Sequence, residues 1–215
     1  MQRRHRPLAL ATLLVATAVL TGCEDPAKNK PAATVTTAKA TATAASAAAD
    51  GSALSLSSDS KVEWVGSKVA GEHPGGFKTV TAKATLNDGK PEGGSVEVKI
   101  DVTSIYSDSD KLTKHLLNDD FFASTEHPEA KFVSTEIRKG GEGGATHTVE
   151  GNLTLRGETK GISFPATITV DGGAVAVKSE FSINRKDFGM TYDGKADNLI
   201  NDLVVIKLDL TFTKG

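Results

Sequence analysis

The sequence predicts an all-β protein: an eight-stranded antiparallel closed barrel with one helix inserted between strands three and four. Three observations carry this. Eight short runs between Lys61 and Phe212 alternate apolar and polar residues with period two, the signature of half-buried strands. Gly-rich or polar turn sequences separate most of them. One stretch only, Asp108 to Ile137, contains a convincing amphipathic helix. Eight antiparallel strands joined by short hairpins suit an up-and-down barrel. At that strand count the interior either fills with side chains or holds one small ligand.

Taken in order, the strands are carried by Val62, Trp64, Val65 and Val69, over Lys61 to Val69; by Val80, Ala82, Ala84 and Leu86, after Phe77; and by Val96, Val98, Ile100 and Val102. Pro91-Glu92-Gly93-Gly94 reads as the turn between the second and third, and His73 falls in a Gly-Pro loop. In the helix, Leu112, His115 and Leu116 recur at the spacing of one face, and Ser107, Asp108 or Ser109 can cap its start. Phe121 and Phe122 follow as an apolar plug. Asp119 and Asp120 read as a cap-and-turn pair on the unfavourable side of the helix dipole. His127-Pro128 then turns the chain into a strand through Phe132 and Ile137. Val149, Gly151, Leu153 and Leu155 come next, after the flexible connection KGGEGGATH. Ile162, Phe164, Ala166, Ile168 and Val170 follow, with Pro165 at a bulge or edge position. Asp171-Gly172-Gly173 is a hairpin signal leading to Val175, Val177, Phe181 and Ile183. Tyr192 to Asn198 reads as a polar loop. Val204, Ile206, Leu208, Leu210 and Phe212 make the last and plainest strand.

The chain before the barrel divides in two. Residues 1–22 read as a signal peptide: Arg3, Arg4 and Arg6 precede an uncharged run from Leu8 to Leu20 that is too short for a comfortable membrane span. Leu20-Thr21-Gly22-Cys23 resembles the bacterial lipobox, in which the Cys thiol receives a diacylglycerol and becomes the new N-terminus. Cys23 is the only cysteine, so no disulfide can form within the chain. The competing reading is an ordinary signal peptide with a chance Cys at the boundary. Residues 23–58 are expected to be a disordered Ala/Thr/Lys-rich tether with too few large apolar residues to offset ordering entropy. Such a coil would reach roughly 30–35 Å. Residues 59–215 form the barrel domain.

Charge and motifs narrow the function. Without residues 1–22 the chain has 22 basic and 27 acidic side chains, a net −5. That argues against nucleic acid as a partner, since no basic excess is available to release counterions, and against docking to anionic headgroups by charge. Membrane association is expected through the N-terminal lipid anchor at the bacterial cell envelope. No nucleophile elbow, phosphate loop or metal-ligand spacing is present. Catalytic residues, a metal and a cofactor are therefore not expected, unless the fold brings His73, His115 and His127 together. Arg185 and Asp187 can pair with each other, or orient a polar head group. Asn152-Leu153-Thr154 is a glycosylation sequon by pattern only.

Several ordered runs resemble one family. Trp64-Val65-Gly66-Ser67-Lys68, His73-Pro74-Gly75-Gly76-Phe77 and Asp101-Val102-Thr103-Ser104-Ile105 are similar to the opening half of YceI-like domains. Lys114-His115-Leu116 through Asp120-Phe121-Phe122, with His127-Pro128-Glu129-Ala130-Lys131-Phe132, resemble the middle motif. Gly151-Asn152-Leu153-Thr154-Leu155-Arg156-Gly157 and Ile183-Asn184-Arg185-Lys186-Asp187-Phe188-Gly189 resemble the closing half. The resemblance implies a lipocalin-like barrel binding a long amphiphile of the polyisoprenoid type, such as an isoprenoid quinone or polyprenyl lipid. The residues expected to line the barrel are Trp64, Phe77, Ile100, Phe121, Phe132, Leu155, Phe164, Phe181, Ile183, Ile206, Leu208 and Leu210. His73, His115, Asp120 and Arg185 are expected at the mouth. Leu112, Leu116, Phe121 and Phe122 are expected to close that mouth, with His115 facing the same way. The same parity describes a side-chain-filled core, the mark of a structural or interaction module. Cavity volume separates the two.

Overall fold

The structure is a computed structural model that describes residues 25–40 and 53–214. The signal peptide, Cys23 and the middle of the expected tether lie outside the described residues. In chain order the strands are Thr34–Thr37 (β1), Leu54–Leu56 (β2), Lys61–Lys68 (β3), Gly71–Phe77 (β4), Val80–Asn87 (β5), Lys90–Asp101 (β6) and Ile105–Ser107 (β7). The helix α1, Asp110–Leu116, follows. Glu129–Lys139 (β8), His147–Leu155 (β9), Glu158–Asp171 (β10), Ala174–Asn184 (β11), Gly194–Lys195 (β12), Asn198–Leu199 (β13) and Leu203–Lys214 (β14) complete the chain.

These strands make an eight-stranded antiparallel closed barrel, because two wall positions are each occupied by a bent pair. β2 and β3 together flank β14, pairing Phe212 with Leu56 at one end and Val205 with Val65 at the other. The bend between them is bridged by Ser60, whose Oγ accepts from Thr211 N at 3.0 Å. β4 and β5 form the next position, bent at Lys78-Thr79. β6, β8, β9 and β10 continue in order, and β11 closes onto β14. The helix lies between the third and fourth wall positions, as the sequence predicts.

The alternation places Val204, Ile206, Leu208 and Leu210 inward on β14, and Ile162, Phe164 and Ala166 inward on β10. β8 breaks this rule. A register shift between Ser134 and Glu136 restores Ile137 to the buried face, because a bulge inserts one residue and flips the side-chain parity beyond it.

Three loop expectations are corrected. Pro91-Glu92-Gly93-Gly94 is not a turn but part of β6; the hairpin closes at Asp88-Gly89, with Asn87 paired to Lys90. Asp88 and Gly89 both have positive φ (49° and 74°), the conformation of a two-residue hairpin loop. His73 lies in a strand, paired with Gly66 across β3–β4. The glycines there are needed for contact: a Cβ on Gly75 would sit 2.2 Å from the Trp64 ring. The Tyr192–Asn198 loop contains most of a small hairpin, with Gly194 paired to Leu199.

The expected tether is also corrected, because Pro31–Thr37 and Leu54–Leu56 are part of the wall. β11 pairs with β10 only over Thr167 to Asp171, and before Thr167 the two strands are not paired. The N-terminal segment fills the opening. Ala33 N donates to Ser182 O at 2.8 Å and Ser182 N donates to Pro31 O at 2.9 Å. β1 then pairs antiparallel with β10, Thr34 opposite Ser163 and Thr37 opposite Lys160. Upstream, Ala27 is buried over the outward-facing Val65 and Val205. A polar segment can do this because open backbone groups in a seam need partners whatever side chains supply them. Asn152 is likewise occupied: its amide exchanges hydrogen bonds with both backbone groups of Lys39. Domain structure also begins earlier than residue 59, since Leu54–Leu56 is already in the sheet.

Two ion pairs hold this strap: Lys30 with Glu180 at 2.9 Å, and Lys39 with Glu150, which Arg138 also engages. The Lys39 ammonium first, and then the Arg138 guanidinium, hold the Glu150 carboxyl below its ordinary range; Lys30 does the same for Glu180. A folded-state pKa that is lowered contributes stability above the ordinary carboxylate value, near 4.3, and loses it as pH falls through the lowered value. Hydrogen exchange is therefore expected to show residues 30–39 losing protection under acid while β14 keeps its own. Equal loss in both would mean that the pairs do not hold the strap.

Candidate functional site: an apolar cavity in the barrel

The barrel is hollow in its upper half. A cavity of about 550 Å³ opens beside α1 and runs down between the strands. All twelve side chains named from sequence parity, Trp64 through Leu210, line it, together with Val62, Leu153, Ile162 and others. Its depth is apolar. Polar groups collect at the mouth: Lys68, His73, Lys111, His115, Lys195, Asn198 and Asn201. That is the make-up of a small-molecule site for an amphiphile, and the volume lies within the usual range of about 300–1,000 Å³.

The floor is aromatic. Phe164 stacks on Phe181 with ring centroids 4.4 Å apart and 12° between planes, and Phe132 leans on Phe164 at 5.7 Å. Below this layer a smaller space of about 70 Å³ is walled by Val149, Ile168, Val175 and Phe212, with Phe132 and Phe164 as its ceiling. The layer thus divides the barrel into a cavity and a nearly filled lower core.

The mouth is built by α1 and its continuation. Ser109 caps the helix, its Oγ accepting from Leu112 N. Leu116 and Phe121 are buried with Trp64 and Ile105, and Leu112, Phe122, Tyr192 and Ile200 pack against that group. Leu112, Leu116, Phe121, Phe122 and His115 all face the cavity, so the helix is a wall of the mouth and not an outer decoration. Phe77 meets Phe122 edge-on at 6.0 Å. Tyr192 sits against both Phe121 and His115; an isolated Tyr in a polar loop carried no periodic signal.

The four residues expected at the mouth separate in role. His115 Nε2 lies 2.8 Å from Asp120 Oδ2, so Asp120 reaches the mouth only through His115. α1 ends at Leu116, and Asp119 and Asp120 lie in the turn that follows it. His73 Nδ1 lies 2.9 Å from Asp108 Oδ1, just ahead of the start of α1. Arg185 lines the cavity but is not free to meet a head group. It is 3% exposed and donates to the carbonyls of Asn201, Met190 and Ile200, and to Asp202. The expected pairing with Asp187 is absent: the guanidinium faces Asp202 and Asp193, and Lys186 joins both carboxylates. Lys186 and Asp193 hold each other charged, the lysine pKa raised and the carboxyl lowered.

His73, His115 and His127 each have a separate setting; His127 lies against Gly157. Among the described residues no group of three His, Cys, Asp or Glu is placed to hold a metal ion. His147 is at the other end of the barrel, near Glu92.

Comparisons with known proteins agree with this architecture. Residues 54–212 match the YceI-like domain. A UPF0312 protein of Pseudomonas fluorescens is 33% identical over 137 residues, which cover 59% of this chain and 69% of that relative. A UPF0312 protein of Pectobacterium carotovorum is 30% identical over 140 residues, 62% of this chain and 71% of that one. Among solved structures, Burkholderia cenocepacia BcnA matches with a TM-score of 0.61 at 26% identity, covering 71% of this chain and 95% of its own. A polyisoprenoid binding domain from Saccharophagus degradans matches with a TM-score of 0.60, covering 77% of this chain and all of its own; at 16% identity this likeness is one of fold. On the match over residues 54–212 and the similarity to the Pseudomonas relative, the chain belongs to the YceI-like domain family.

Proposed function

We propose that this protein is a non-catalytic envelope lipoprotein, anchored through Cys23, that binds one long isoprenoid-type lipid in its barrel and carries or shields it. An isoprenoid quinone or a polyprenyl lipid fits the shape: an apolar chain toward the Phe164 layer and a polar head among the side chains of the mouth. The observation that carries this reading is the apolar cavity of about 550 Å³. The polyisoprenoid-binding fold neighbour supports the same ligand class. The competing module with a filled barrel is disfavoured by that volume.

The energetics suit a carrier. Against water, each methylene-sized group buried contributes about 0.8 kcal/mol. Against a bilayer the same group gains almost nothing, because lipid tails are as apolar as the barrel wall. The chain can therefore leave the cavity for a membrane at little cost, yet is held firmly while the protein is in water.

Trp64 is the only tryptophan and lines the cavity, so it is a built-in probe. Titration with an isoprenoid quinone is expected to quench its fluorescence to saturation at one ligand per protein. Organic extraction of protein purified from its own membrane is expected to release a prenyl lipid. Protein that comes out empty and does not respond to the quinone would refute the reading.

A further inference from the structure

Among the described residues, three large apolar side chains stand exposed: Val69 (66%), Leu199 (48%) and Val170 (37%). Val69 and Leu199 are neighbours. Val69 N donates to Leu199 O at 3.1 Å, Ala70 N donates to Asn198 Oδ1 at 3.2 Å, and Lys68 bridges to Ile200. These bonds tie the tip of the β3–β4 hairpin to the β12–β13 hairpin. Both tips stand on the cavity rim, since Lys68, Lys195 and Asn198 line the opening. Val170 is at the far end of the barrel, beside the β10–β11 turn.

The N-terminal segment starts at the same rim. Asp25 Oδ1 accepts from Ala27 N at 3.0 Å and from Ser67 Oγ at 3.4 Å, two residues before Val69. Ala27 is buried beneath this contact. Cys23 precedes Asp25 by two residues, a span of at most about 7 Å. The first described residue, Asp25, is therefore held beside the cavity mouth, within that span of the expected anchor site.

We propose that the Val69–Leu199 rim rests on the lipid bilayer that holds the N-terminus, so that the barrel mouth opens toward the membrane. The inference rests on the reading of Cys23 as the anchor site. Two apolar side chains are too few to hold a soluble protein on a membrane, but an anchored protein already has its rim at the surface. There the pair only has to orient the barrel. The charges nearby are mixed, Lys68, Lys111 and Lys195 against Glu72, Asp108 and Asp197, so the contact is apolar and does not need anionic headgroups. In this pose a lipid passes between bilayer and cavity without exposing its chain to water.

The test places a tryptophan on the rim. In the full chain, Trp64→Phe removes the native fluorophore, and Val69→Trp or Val170→Trp adds one at either end. Each protein is reconstituted through its own anchor into neutral phosphatidylcholine vesicles carrying brominated acyl chains. Emission from position 69 is expected to be quenched severalfold more than emission from position 170. Equal quenching, or none at 69, overturns the proposal. Intact mass of the same samples reads whether Cys23 carries lipid. If it does not, the anchor reading fails separately, and the rim is then measured on protein coupled through Cys23 to a maleimide lipid in the same vesicles, with the same two deciding outcomes.

Discussion

Phe164→Ala is expected to destabilise the barrel by about 3–5 kcal/mol and, in the same step, to lengthen the chain it can hold. The stability loss follows from removing a buried ring whose place neighbours cannot fully fill. Phe164 is 5% exposed, stacked on Phe181 and leaning on Phe132. The second effect follows from its position between the cavity of about 550 Å³ and the space of about 70 Å³ below it. Without the ring the two join, and a prenyl chain can extend toward Val149 and Ile168. Urea unfolding reads the first effect. Mass spectrometry of extracted lipid, or titration with quinones of graded side-chain length, reads the second. Phe164→Leu should keep more of the stability and lengthen the chain less. An unchanged chain-length preference in a folded Phe164→Ala protein would mean that the ligand never reaches the aromatic layer.

Arg185→Met is expected to cost about 3–5 kcal/mol, the scale of breaking a buried ionic group out of its network. The guanidinium joins the end of β11 to three carbonyls and a carboxylate of the segment that leads into β14. Removing it leaves Met190, Ile200 and Asn201 carbonyls without their donors, each a penalty in a dry site. Hydrogen exchange should show residues 190–202 opening, with Tyr192 leaving Phe121. Arg185→Lys should rescue little, because a single ammonium cannot serve divergent acceptors as a planar fork does. A head-group role predicts the reverse: full stability, weak binding of a polar-headed ligand, and unchanged binding of a plain hydrocarbon.

The role of Arg185 was open in the sequence for a physical reason. INRKDFG shows a charge beside its opposite, Asp187, and local spacing invites that pairing. The partners that satisfy the guanidinium are backbone carbonyls 5 to 16 positions away, and a carbonyl leaves no trace in residue identity. The bulge at Thr135 was hidden similarly, because a one-residue parity change within a polar run alters no composition.

What the sequence determined by itself was the barrel and the inner face of its wall. In β14, Val204 to Phe212 alternate with Val205, Lys207, Asp209 and Thr211, and a strand has only two faces, so identity alone assigns the inside. Phe121 and Phe122 after a short amphipathic helix were similarly legible as a plug. Tertiary structure alone decided that the barrel is hollow above Phe164, since a cavity is a difference between the space enclosed by all the strands and the side chains filling it. It also decided that Pro31–Thr37 belongs to the wall. The β-branched run Thr34–Thr37 suits a strand, but it has no apolar face to say where it pairs; the divergence of β10 from β11 creates the unpaired backbone that holds it, and that divergence belongs to the closed sheet and to no single segment.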